Sequence, residues 1–277
     1  MAKRHKIGLG TVQFGLTYGI GNKDGQTKVD EVTKILKSAN TYGIKVLDSA
    51  SAYGNAEEVL GKNDLERFQV VSKFMPPIDE SIQIQFEKSL HSLGLKKLYG
   101  YLAHRPESIL ENPVQWIELQ NLKKEGKVQR IGFSLNEPEE LNRLLERGYI
   151  PDIVQAPYNY FDDRFEESFR YLKNIGCEVH TRSAFLQGLF FMEPDSLSSY
   201  FDEIKDNLKK LQVLEENLSV SLLNFVLNKS FIDKVIIGVE NNKQLIQNVG
   251  SLNNAVDLPV LNKIIPKHIL NPSLWKN

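Results

Sequence analysis

Cysteine is almost absent: Cys177 stands alone in 277 residues. A lone thiol closes no internal disulfide and builds no thiolate metal site, which excludes zinc ribbons and disulfide-stapled secreted scaffolds and fits a reducing compartment. An excess of charge of one sign is missing too. Lys and Arg number 34 against 35 Asp and Glu, a formal net charge of -1, so no basic field exists to hold nucleic acid or anionic lipid. Nowhere does the chain offer the ~18 consecutive apolar residues of a spanning helix. The opening Met1-Ala-Lys-Arg-His-Lys6 carries the charge of a signal-peptide n-region, but Ile7 to Gly21 is broken by Thr11, Gln13, Thr17, Tyr18 and five glycines and makes no h-region. A cytoplasmic protein is expected, with neither nucleic acid nor membrane as partner. The histidines at 5, 91, 104, 180 and 268 show no ligand spacing, so no metal site is expected.

What the chain has is a regular alternation. With 41% hydrophobic and 25% charged residues it can bury a large core without staples. Eight short apolar runs recur: Lys6 to Leu9, Lys45 to Asp48, Phe68 to Lys73, Leu98 to His104, Val128 to Ser134, Asp152 to Gln155, Cys177 to Thr181 and Lys234 to Gly238. Helical spacing appears between them, in Val29, Val32, Ile35, Leu36 and Ala39, in Ile82, Phe86, Leu90 and Leu93, in Leu141, Leu144 and Leu145, and in Phe165, Phe169 and Leu172. Gly43, Gly94, Gly126, Gly148 and Gly176 sit just past periodic stretches, where a left-handed residue ends a helix. Alternating strands and helices wind either as an open doubly wound sheet or as a (β/α)8 TIM barrel. Closure is favoured, because no strand runs into a Gly-x-Gly-x-x-Gly turn and because the runs end in polar groups that a barrel would gather on one rim. No linker interrupts the series, so residues 1–277 are expected to form one (β/α)8 barrel domain.

The rim holds the chemistry. Asp48 ends one strand and Tyr53 follows five residues on; taken alone, the first is a loop hydrogen-bond acceptor and the second a loop aromatic. Lys73 changes that, since an ammonium at the end of Gln69-Val-Val-Ser-Lys-Phe74 is costly inside a barrel unless paired, and Asp48 is its natural partner. Either the two form a buried structural ion pair, or Lys73 also lies beside the Tyr53 hydroxyl and lets it give up a proton near neutral pH. His104 ends the next strand, and the four together can protonate a carbonyl oxygen.

At this point the chain resembles the aldo-keto reductases. Gly8-Leu-Gly-Thr-Val-Gln-Phe-Gly15 is similar to the family's opening strand, Leu47-Asp-Ser-Ala-Ser-Ala-Tyr-Gly-Asn-Ala-Glu58 to its Asp/Tyr signature, Val71-Ser-Lys73 to its lysine strand and His104 to its histidine. The resemblance implies reduction of an aldehyde or ketone by NADPH, with NADH a rival. Tyr53 is then the general acid, Lys73 and Asp48 tune it and His104 orients the carbonyl. It further implies that Ser134 and Gln155 hold the nicotinamide carboxamide, although the asparagine usual beside the serine is Leu135 and Asn136 comes one place late. Arg182 stands where a stacking tyrosine is common; its guanidinium stacks there, holds pyrophosphate or receives an acidic substrate group. Ile236-Ile-Gly-Val-Glu-Asn-Asn-Lys-Gln-Leu-Ile-Gln-Asn248 is similar to the family's final strand and the helix start that grips adenosine phosphate, which assigns Gly238, Glu240, Lys243, Gln244, Gln247 and Asn248 to the cofactor. Gln244 replaces a common arginine and Glu240 adds a carboxylate, both against a 2′-phosphate, whereas Lys243 and helix N-terminal amides favour an anion.

The opening Leu9 to Ile20 is similar to a bacterial subgroup linked to sugar and surface-polysaccharide metabolism, which points to a sugar-derived carbonyl. Phe14, Tyr18, Tyr158 and Tyr160 are candidates for the pocket mouth, and Trp275 is either an apolar lid or packed on the barrel wall. Two rival functions stay open: an NAD(P)H-binding regulatory or redox-sensing subunit, and a lyase in which Lys73 forms a Schiff base. The sequence carries no signal for oligomeric state.

Overall fold

The computed structural model describes residues 3–77, 80–261 and 264–275; the other eight residues of the expected 1–277 domain lie outside them. All eight apolar runs become strands: β1 (Ile7–Gly10), β2 (Val46–Asp48), β3 (Gln69–Phe74), β4 (Leu98–Ala103), β5 (Val128–Ser134), β6 (Ile153–Pro157), β7 (Glu178–Arg182) and β8 (Lys234–Ile237). Each pairs in parallel with the next, and β8 returns to β1, closing the barrel. His104 and Gly238 fall one residue beyond their strands.

A parallel strand needs a crossover before the next can begin, and helices supply it on the outer face. Helix Val29–Thr41 shows the logic: Val32, Ile35, Leu36 and Ala39 are buried against the sheet, while Val29, on its first turn, is exposed. All five predicted stop glycines take positive φ, and Gly94, at +64°, is the left-handed cap that turns helix Ile82–Leu93 into β4.

Inside the barrel the period of two sorts side chains into layers. Val46, Val71, Leu102, Ile153 and Ile236 form a small apolar cluster of their own, and each stands two residues before a rim position on its strand: Asp48, Lys73, His104, Gln155 and Gly238. Near the opposite, N-terminal strand ends lies a charged group. The Glu178 carboxylate accepts from the Tyr99 hydroxyl at 2.5 Å, pairs with Arg130 Nε at 2.8 Å and lies 2.8 Å from His180 Nε2. Burial opposes the Glu178 charge, but His180, Tyr99 and Arg130 outweigh it and bring its pKa down to about 2.

The stretch after β7 was not legible as an element. It forms a short 3-10 segment Leu186–Phe191 and helices Asp202–Gln212 and Leu218–Leu227, which close a second apolar cluster around Phe190, Phe201, Ile204 and Leu208. Trp275 packs on it: the indole meets Phe201 edge to face, donates to Ile269 O at 3.1 Å and stands outside the lining of the rim cavity, so it is neither lid nor barrel-wall packing. Among the described residues no helix is long and apolar enough to cross a membrane.

Glu178→Gln is expected to lower unfolding free energy by about 1 kcal/mol in urea at neutral pH, since it leaves the half-exposed Arg130 without its carboxylate. The wild-type contribution is complete above the ordinary value of 4.5 and lost as pH falls toward about 2. An unchanged midpoint would contradict the role given to this pair.

Candidate active site

The C-terminal strand ends open into a cavity of about 880 Å³, within the range of small-molecule sites. Behind its lining lies Lys73, fully buried near the end of β3. The Nζ donates to Asp48 Oδ2 at 2.7 Å, to Ser49 O at 2.9 Å and to Tyr53 OH at 3.3 Å, which engages all three of its N–H bonds. Burial works against the ammonium, but the Asp48 carboxylate and the Tyr53 oxygen prevail and hold its pKa above the usual lysine value. The other Asp48 oxygen accepts from Gln155 Nε2 at 2.7 Å.

Tyr53 sits on the loop after β2, fixed by hydrogen bonds from its own amide to Ala50 O and from the Ala56 amide to Tyr53 O. Gly54 follows with φ +57°, so close to the Gly15 carbonyl that a Cβ there would come within 2.4 Å of it. The sequence permits this contact only because both positions are glycine. His104 meets the Tyr53 ring edge to face, with centroids 5.7 Å apart. Burial first, then the charges of Lys73, Arg182 and Arg105, push its pKa down to about 3, so the ring is neutral and its Nδ1 has no protein partner.

Ser134, Gln155, Arg182, Gly238, Glu240, Gln244, Gln247 and Asn248 all line the same cavity as Asp48, Tyr53 and His104. Lys243 does not; it is exposed on helix Asn242–Gly250 and points away from the lining. Leu135 is wholly buried in the core, and Asn136 holds Arg182 through its side-chain oxygen at 2.7 Å. Glu240 and Gln244 bind each other, amide to side chain at 2.9 Å and side chain to side chain at 3.2 Å. Of the four aromatics expected at the mouth only Tyr18 lines it. Phe14 and Tyr158 are core residues, and Tyr160 donates to Pro259 O.

Several lining residues escaped the sequence. Gln13 lies against Gly238, where a Cβ would approach its amide to 2.7 Å, and its buried Oε1 has no partner. The Gly8-Leu-Gly-Thr-Val-Gln13 run was the available signal. The loops after β1 and β7 meet at the rim: Gly21 N donates to Gln187 O, Gln187 Nε2 donates to Tyr18 OH, and Gly21 and Gly188 touch backbone to backbone.

Residues 6–264 match the model of the aldo/keto reductase family. The chain belongs to that family. An oxidoreductase of Bacillus subtilis is 27% identical over 59% of this chain, a match that spans 62% of that relative. An NADH-specific methylglyoxal reductase of Escherichia coli is 25% identical over 90% of each chain. An aldo-keto reductase of Klebsiella pneumoniae solved with NADPH shares the fold at 20% identity and a TM-score of 0.67, over 91% of this chain and 87% of its own.

Because His104 is held neutral, its imidazole carbon shift in NMR is expected to stay flat from about pH 8 to 5, where a free histidine would titrate. A midpoint near the ordinary 6.5 would contradict the burial described.

Proposed function

We propose that this aldo/keto reductase converts an aldehyde or ketone to an alcohol, with NAD(P)H as the hydride source and Tyr53 as the general acid. The observation that carries it is the saturated Lys73 ammonium, bonded to Asp48 and Tyr53 at once beside a neutral imidazole. A dinucleotide suits the residues present: the cavity is large, the buried Gln13 Oε1 lacks a partner, and Gly238 keeps the floor at Gln13 open. Ser134 and Gln155 would hold a carboxamide, Gln155 through the oxygen that its bond to Asp48 leaves free. Gly238, Glu240, Gln244, Gln247 and Asn248 would hold the adenosine end. Bound there, the cofactor supplies hydride to the carbonyl carbon.

The chain's part is the oxygen. As charge develops on it, Tyr53 gives its proton, Lys73 stabilises the phenolate left behind, and the neutral His104 orients the substrate oxygen. Asp48 keeps Lys73 charged and in place. The same bonds speak against the Schiff-base alternative, since that chemistry needs an unprotonated amine facing the substrate. A redox-sensing subunit would share the site and differ in turnover.

NADPH is the family's default, and the carboxylates of Glu240, Glu215 and Glu216 along the cavity favour NADH by repelling a 2′-phosphate. A sugar-derived carbonyl fits the polar rim of Tyr18 and Gln187. A cytoplasmic setting suits the lone buried Cys177.

Tyr53→Phe is expected to keep the fold and calorimetric cofactor affinity while turnover on aldehydes drops by about two to three orders of magnitude. Unchanged turnover would sink the general-acid role, and tight cofactor binding without turnover in the wild type would favour the sensing subunit. In the same titrations Glu240→Ser is expected to move the preference toward NADPH by about tenfold, roughly 1.4 kcal/mol. No movement would remove Glu240 from the adenosine site.

A further inference from the structure

The cavity carries carboxylates, Glu193, Glu215, Glu216 and Glu240, but the charges that act on His104 are all positive. Lys73 and Asp48 neutralise each other at 2.7 Å and His104 is neutral, but Arg182 and Arg105 also line this cavity. Among the described residues neither arginine has an ion-pair partner. Arg182 closes β7 and is fixed in place: Nη2 donates to Leu135 O at 2.9 Å and to Asn136 Oδ1 at 2.7 Å, and Nη1 lies 3.5 Å from Ser183 Oγ. All three acceptors are neutral. Asp162, a buried carboxylate within the field of Arg182, is paired with Arg164 at 3.5 Å. Arg105 follows His104 directly and is exposed.

A guanidinium held rigid by neutral acceptors, with no carboxylate in ion-pair reach among the described residues, is half of a charge-assisted hydrogen bond. We infer that the other half is the substrate: a carbonyl compound that also carries a carboxylate or phosphate, bound by Arg182 with Arg105 at the entrance, while its carbonyl oxygen meets Tyr53 and His104. The inference rests on the proposed reduction and names its substrate class. Arg182 is thereby a specificity residue for the substrate. Rigid placement matters here, because a pre-fixed guanidinium loses little conformational freedom when the anion arrives.

Two matched pairs test it: butanal against succinic semialdehyde, and glyceraldehyde against glyceraldehyde 3-phosphate, each followed by oxidation of NADH and of NADPH. The expected result is a kcat/KM at least about 30-fold higher for the charged member of one pair, carried mainly by KM, and the pair that shows it tells carboxylate from phosphate. Arg182→Gln should bring that ratio toward unity, and Arg105→Gln, on an exposed loop, should reduce it severalfold and serves if the first variant fails to fold. Calorimetry gives a readout without turnover: 4-hydroxybutyrate should bind the wild type more tightly than butanol, with a salt-sensitive affinity that Arg182→Gln removes. Equal kcat/KM within both pairs would overturn the anion site and leave the reductase standing. So would an Arg182→Gln variant that loses both members of a pair equally together with cofactor affinity, which would place Arg182 on the cofactor. If no carbonyl of either kind oxidises either cofactor, the inference falls together with the reductase.

Discussion

An ammonium group taken wholly out of water must find its compensation inside the protein, and in this barrel the compensation for Lys73 decides the geometry of everything near it. Asp48, the Ser49 carbonyl and the Tyr53 hydroxyl are all within hydrogen-bond reach of one nitrogen. Three groups from β2 and the loop after it are therefore tied to the end of β3. Gln155 extends the tie to β6 through the second oxygen of Asp48. Removing Asp48 would strand a charge in a dry place, so the carboxylate that anchors Lys73 also sets where its remaining hydrogen bonds go.

The surrounding structure serves that constraint. Gly15 and Gly54 bring two loops into backbone contact, which fixes where the phenol of Tyr53 can be. Burial first, and then the positive charges of Lys73, Arg182 and Arg105, keep a proton off His104, leaving it available as a neutral hydrogen-bonding group. Pre-set donors of this kind contribute most when charge appears on a substrate, because they need no rearrangement at that moment.

Much of this was legible in the residues. Each strand announced itself by an apolar run, six of the eight ending in a polar residue, and Asp48, Lys73 and His104 were found because charge or polarity at such a place is costly unless used. Tyr53 followed from its distance to Asp48. Other features obey rules that a linear pattern does not carry. Gln13 was hidden because an amide in a loop has no periodic signature, and its position depends on contact with Gly238 at the far end of the chain. Phe14 and Tyr158 looked like mouth residues but turn into the core, where large rings exclude the most water. Lys243 has the right type at the right helix end and faces solvent instead. The segment from Ser183 to Gly188 broke any helical period because four of its residues, Ser183, Leu186, Gln187 and Gly188, take positive φ.

The apolar tier of Val46, Val71, Leu102, Ile153 and Ile236 has a consequence for traffic through the molecule. Its five aliphatic side chains set a dry layer directly beneath the groups that hold Lys73, so that ion pair is approached from the cavity above it. Tyr53 and His104 stand above that layer on the cavity wall, and the barrel works as a vessel with an aliphatic floor, filled from its mouth.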